Sequence, residues 1–151
     1  MTKSEKLNFL ILFLLGGVSS FSLPPYNFFF INFISFAFLF LFLVEAKNSN
    51  KSKLIFFLYG WFFGFGYFIC SLYWISISLT FDNNFKFLIP ISIIFIPAFI
   101  STFFGISTLM TKFFLSQKKI ISSVLLFSLV FSIVEYIRGI VLSGFPWNLI
   151  A

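Results

Sequence analysis

Glu135 and Arg138 are the residues of this sequence best placed to do charge chemistry. Three apart on a helix, they share a face and can meet. They interrupt an apolar run, 120–142, where a charge is costly unless it is paired or turned toward a polar cavity. Two compatible uses follow. The residues can form an ion pair near the helix end, with Arg138 snorkelling outward, or they can line a cavity for a lipid headgroup. Ser143-Gly144-Phe145-Pro146-Trp147 comes next. Gly144 and Pro146 stop the helix, and Trp147 falls where an interfacial anchor is expected. Tyr73 and Trp74 read as interface residues or cavity lining.

The remaining residues offer no covalent chemistry. The chain has no His, which excludes the His-dependent nucleophile triads. Its one cysteine, Cys70, cannot form an intramolecular disulfide. Inside a long apolar run it reads as a small buried thiol. No metal site or cofactor is expected from this set. No Gly-rich phosphate loop with an adjacent Lys is present. No residue is assigned a catalytic role.

The elements that position these residues are membrane helices. Of 151 residues, 60% are hydrophobic and 9% charged, against roughly a quarter charged in a globular protein. So little charge can neither cover a water-facing surface nor keep a chain disordered. The expected fold class is all-α, a polytopic integral membrane protein of about five transmembrane helices in an incomplete bundle. The spans are expected at 7–23, 26–44, 54–81, 87–111 and 120–142, within one membrane domain over 1–151. Pro24-Pro25 divides the first uncharged stretch, because neither residue donates a backbone hydrogen bond. A signal peptide is the competing reading of the first segment, from Lys3, Lys6 and Ser19-Ser20. The second apolar run follows at once and favours a retained hairpin. Pro97 predicts a kink in the fourth span. Gly60-x-x-x-Gly64, with Gly66 beyond, clears a helix face for close packing, within the chain or between two copies. The 29 Phe residues read as lipid-facing and core filler in place of Leu.

Net charge is +6, and the lysines sit in gaps between apolar runs. That pattern signals topology and argues against nucleic-acid binding. With five alternating helices, Lys3, Lys6, Lys47, Lys51, Lys53, Lys112, Lys118 and Lys119 fall on one side, and Lys86 and Arg138 on the other. The positive-inside rule then puts the N-terminus in the cytoplasm. The Pro24-Pro25 turn, the Asp82 loop and the Phe-Pro-Trp block face outward.

Four blocks carry a family likeness: Ser22-Leu23-Pro24-Pro25-Tyr26-Asn27; Gly60-Trp61-Phe62-Phe63-Gly64-Phe65-Gly66-Tyr67-Phe68; Leu72-Tyr73-Trp74-Ile75; and Glu135-Tyr136-Ile137-Arg138-Gly139 running into Ser143-Gly144-Phe145-Pro146-Trp147. In this order they resemble the N-terminal membrane region of apolipoprotein N-acyltransferases, over essentially the whole chain. The resemblance implies an enzyme of lipoprotein biosynthesis in the bacterial inner membrane. Such an enzyme moves an acyl chain from a phospholipid to the N-terminal Cys of an apolipoprotein, through a thioester. In that family the catalytic Glu, Lys and Cys sit in a nitrilase-like domain beyond further helices. None of them can be carried over, and Cys70 is not the family nucleophile. The chain is therefore expected to be a fragment without catalytic residues.

On the same resemblance, Glu135, Arg138, Pro146 and Trp147, then Tyr73 and Trp74, are candidate substrate-binding residues that position rather than react. The implied partners are phospholipid as acyl donor and an apolipoprotein met through the absent domain. A bundle lacking its further helices is expected to expose Glu135 and Arg138 to lipid. The alternatives are the anchor domain of a polyprenol-phosphate mannosyltransferase and a stand-alone helical membrane protein. A transport role fits poorly, because the intramembrane charges lie toward one end.

Overall fold

Prolines and loop residues decide where the helices stop. The computed structural model describes residues 3–81, 83–116 and 119–141. Six α-helices run through them: α1 (Lys3–Ser19), α2 (Phe30–Asn48), α3 (Lys53–Ser71), α4 (Tyr73–Ser78), α5 (Ile89–Phe114) and α6 (Ile120–Val141). Single 3-10 segments cover Ser20–Ser22 and Asn83–Leu88, and no strand occurs among the described residues. Five stretches are long and apolar enough to cross a membrane: Ser4–Ser22, Phe30–Asn48, Lys53–Ser71, Lys86–Phe114 and Ile120–Val141. The protein is an all-α polytopic membrane protein. Asp82, Lys118, Pro146 and Trp147, with the rest of the block 143–147, lie outside the described residues.

The Pro24-Pro25 pair separates α1 from α2 through a cis peptide bond, and Asn27 takes a positive φ of 56° just after it. Asn is one of the few residues that tolerates this backbone region. The Ser19 hydroxyl at the end of α1 bonds to the Asn32 side-chain oxygen in the first turn of α2, closing the hairpin. Helix α2 continues to Asn48, so Glu45 and Lys47 are helical rather than loop residues. Ser52 caps α3, accepting a hydrogen bond from the Ile55 amide at 3.4 Å. The third apolar run, read as one span over 54–81, divides at Leu72 into α3 and the short α4. Pro90 sits in the first turn of α5, where its missing N–H costs nothing. Pro97 lies inside α5 without ending it. Its carbonyl accepts from Ser101 Oγ at 2.5 Å. Ser107 and Thr111 bond back along the same helix, which satisfies hydroxyls that have no water to bond.

Helices α1, α3, α5 and α6 pack in that order, and α2 lies across them. Lipid tails are as apolar as these side chains, so helix association rests on close packing rather than on escape from water. Glycines supply the close approach. A Cβ on Gly16 would lie 1.9 Å from the Phe63 carbonyl oxygen, and one on Gly66 would lie 1.9 Å from that of Phe13. The backbones of α1 and α3 therefore touch. Gly60 serves α5 in the same way: its Cβ would meet Thr108 Oγ1 at 2.2 Å and the Phe104 carbonyl oxygen at 2.3 Å. Thr108 Oγ1 donates across that contact to the Phe56 carbonyl at 2.8 Å. The glycine pattern read from sequence is thus used for packing inside the chain. Phe104 is the hub of the core, with ring contacts at 5.3 Å to Phe68, 5.5 Å to Phe131, 6.1 Å to Phe63 and 6.3 Å to Phe36. Four helices thus meet on one side chain.

The lysines pin the opposite end. Lys51 Nζ lies 2.8 Å from Glu5 Oε1. Lys47 Nζ donates to the Lys112 carbonyl at 3.0 Å, and Lys112 Nζ donates to the Lys51 carbonyl at 2.7 Å. The last turns of α2 and α5 thus carry cations where the helix dipole favours them. The hydrogen bond to Glu5 holds the Lys51 ammonium above its ordinary pKa.

Candidate functional site

Helix α6 starts at the lysine end and finishes at the other, so its last turns carry Glu135 and Arg138 to the far side of the bundle. Helical phase brings the two side chains together, and the pair is bidentate. Arg138 Nε donates to Glu135 Oε1 at 3.0 Å, and Nη2 donates to Oε2 at 2.7 Å. Two parallel bonds fix the geometry as well as the charge. The Arg138 side chain is 1% exposed and that of Glu135 is 14% exposed.

Two expectations are corrected here. Arg138 does not snorkel; it turns into the bundle, with its guanidinium carbon 5.0 Å from the centre of the Phe68 ring. The ring face and the carboxylate both attract the cation, and this offsets the loss of hydration. The pair is also not laid open to lipid, because the described helices already enclose it.

Tyr67 and Phe68 are residues that sequence reasoning did not single out as partners of the pair. Both are fully buried. Tyr67 packs edge-on against Phe68 at 5.0 Å, the ring that the Arg138 guanidinium covers. A signal was present: Gly60, Phe63, Gly64, Tyr67 and Phe68 fall on one face of α3 at helical spacing. The buried Gly60 and Gly64 already marked that face as the inner one.

Tyr73 and Trp74 lie on α4 at the same end and are 61% and 42% exposed. They sit on the surface of the bundle. Pro146 and Trp147 fall outside the described residues, so the structure does not place them. Cys70, expected to be buried, is exposed on α3, with its Sγ beside Gly17. Cys70 is one turn beyond Gly66 on the same face, near the end of α3, so it borders the α1 contact and is still exposed.

A groove of ≈ 440 Å³ opens between α2 and α6. Phe33, Phe36, Phe127 and Phe131 form its walls, and Asn32, Ser128 and Ser132 are its polar residues. Ser128, Ser132 and Glu135 stand at i, i+4 and i+7 of α6, so one polar strip runs from the groove toward the ion pair. Chemically, the arrangement can position and screen charge. Both carboxylate oxygens of Glu135 are occupied by guanidinium hydrogen bonds, so the pair is built to hold its own geometry. No group of three or more metal-binding side chains occurs among the described residues.

Comparison with known proteins gives this site a context. Residues 15–151 match the family model described as the apolipoprotein N-acyltransferase N-terminal domain. A protein named apolipoprotein N-acyltransferase from Rhizobium etli (strain CIAT 652) is 33% identical over 141 residues, covering 89% of this chain and 26% of the relative. One of the same name from Rhizobium rhizogenes is 33% identical over 147 residues, covering 93% and 27%. A third, from Brucella melitensis, is 30% identical over 144 residues, covering 91% and 27%. The chain thus spans about a quarter of the length of these relatives. With the match running from the first helix through the ion-pair helix, the chain belongs to the apolipoprotein N-acyltransferase family and carries its N-terminal domain.

Proposed function

We propose that this domain is the membrane-embedded part of an enzyme that transfers an acyl chain from a phospholipid to the N-terminal Cys of lipoproteins. The family match over residues 15–151 is the observation that carries this reading. On it, the domain supplies no reacting group. It holds a catalytic domain at the bilayer and shapes the lipid entrance. The enclosed Glu135–Arg138 pair supports a positioning role, because a rigid bidentate pair fixes the end of α6. The groove between α2 and α6 would take an acyl chain, with its polar strip leading toward the headgroup level. Glu135, Arg138, Pro146, Trp147, Tyr73 and Trp74 are proposed to surround that entrance. The proposed location is the bacterial inner membrane, with the N-terminus in the cytoplasm. The scaffold alternative loses its main sequence feature, since Gly60 and Gly64 face α5 of the same chain.

The test uses the complete reading frame that contains these residues. Coding DNA beyond codon 151 that encodes further apolar helices and a domain with separated Glu, Lys and Cys supports the reading. A stop codon there, with no such domain downstream, overturns it for this chain. In the complete enzyme, Arg138→Gln and Trp147→Ala are expected to slow acyl transfer by ~10- to 100-fold through misplacement of substrate. If both acyl-transfer steps are unchanged in these variants, the residues have no positioning role.

A further inference from the structure

We infer that a groove between α1 and α3, at the lysine end, binds a phospholipid with a net-anionic headgroup: one acyl chain lies in the groove and Lys6 meets the headgroup. The groove measures ≈ 410 Å³ and is lined by Lys6, Phe9, Leu10 and Phe13 of α1 and by Phe62 of α3. That size falls within the ~300–1,000 Å³ of small-molecule pockets. Lys6, Phe9, Leu10 and Phe13 stand at i, i+3, i+4 and i+7, so one cation caps an apolar stripe. An amphiphile with the opposite charge at its head matches that order along the helix.

The walls are preformed. Phe9 is 4% exposed and stacks on Phe62 with centroids 4.9 Å apart. Phe13 meets Phe65 at 6.0 Å, and Phe65 stacks on Trp61 at 4.9 Å. The Trp61 indole is itself held by a 3.1 Å hydrogen bond to the Ala98 carbonyl. Rings fixed in this way lose little further freedom when a chain lies against them. Toward the middle of the bundle the α1 and α3 backbones touch at Gly16 and Gly66, which closes the groove at depth. Its open end is the lysine end.

The charges around that end also fit. Glu5, next to Lys6 in sequence, is engaged by Lys51 at 2.8 Å. Lys6 is exposed and forms no salt bridge among the described residues. Lys6 thus places an exposed cation at the mouth of the groove. This site lies at the opposite end of the bundle from Glu135 and Arg138, so it goes beyond the acyl-transfer reading and can fail independently of it.

The purified full chain is mixed with equal amounts of phosphatidylglycerol and phosphatidylcholine of identical acyl chains, and retained lipid is counted by native mass spectrometry. The expected result is about fivefold more retained phosphatidylglycerol, the size of effect one lysine gives near an anionic surface. Lys6→Gln should abolish that preference, Lys6→Arg should keep it, and Leu10→Trp, which fills the groove, should lower retention of both lipids. Lys119→Gln removes a charge at the same end outside the groove and should change nothing. An unchanged preference in Lys6→Gln, or an equal loss in Lys119→Gln, overturns the headgroup contact. Undiminished retention in Leu10→Trp overturns the acyl-chain site.

Discussion

Glu135 and Arg138 show how much of a residue's role lies in what surrounds it. Their spacing alone places them on one face, and the pair forms with two bonds at 3.0 and 2.7 Å. The direction of Arg138 is a separate matter. Snorkelling keeps a long cation hydrated, whereas turning inward requires a carboxylate and a ring to replace water. Glu135 and Phe68 supply both, so the inward rotamer wins. Removing the carboxylate should be costly for the same reason. Glu135→Gln is expected to destabilise the fold by about 3–5 kcal/mol, the range for breaking a buried pair from one side. The double variant Glu135→Leu with Arg138→Met should lose much less, because no uncompensated charge remains. Unfolding in mixed micelles with increasing anionic detergent measures both. A single variant as stable as the double one would show that the unpaired Arg138 carries no penalty, and one as stable as the unsubstituted protein that the pair contributes nothing to the fold.

Individual helices owe their position to small residues more than to large ones. The α1–α3 contact rests on Gly16 and Gly66, each against a carbonyl of the facing helix. A rigid backbone oxygen cannot move aside, so Gly66→Ala must push the helices apart. The expected loss is about 1–3 kcal/mol. Gly17 lies on the same helix, and its Cβ would meet Cys70 Sγ at 3.4 Å and the Gly66 carbonyl oxygen at 3.8 Å, both ordinary contacts. Gly17→Ala should be neutral or stabilising by up to ~1 kcal/mol, because alanine restricts the helix backbone less expensively than glycine. Thermal unfolding of the two variants side by side checks the contrast. Equal effects would mean that helix propensity, and not backbone contact, sets stability here. The Gly60-x-x-x-Gly64 spacing was legible as a packing face. Its partner was not, because spacing names the face and says nothing of which helix arrives. Gly16 and Gly66 illustrate the same limit from two sides of one contact.

At the scale of the whole molecule, charge and hydropathy run along one axis. Lys47, Lys51 and Lys112 tie α1, α2, α5 and the loop before α3 together at one end. Glu135 and Arg138 close the other. The proposed topology gives a prediction at this scale. In a Cys70→Ala background, Ser49→Cys should react with a membrane-impermeant thiol reagent only after the host membrane is opened, and Lys86→Cys should react without opening it. The reverse pattern would invert the topology. All-α class, five apolar stretches and an Glu135–Arg138 contact follow from sequence because each depends on nearby residues: hydropathy over one helix length, prolines that end it, and i,i+3 geometry. The tertiary structure alone decided that Arg138 points inward onto Phe68, that Cys70 is exposed, that Lys51 pairs with Glu5 and that grooves open beside α1 and α2. With 29 Phe residues spread around the helices, lipid-facing and buried faces have nearly the same composition. Inside a bilayer, hydrophobicity does not separate them; only close packing between distant segments does.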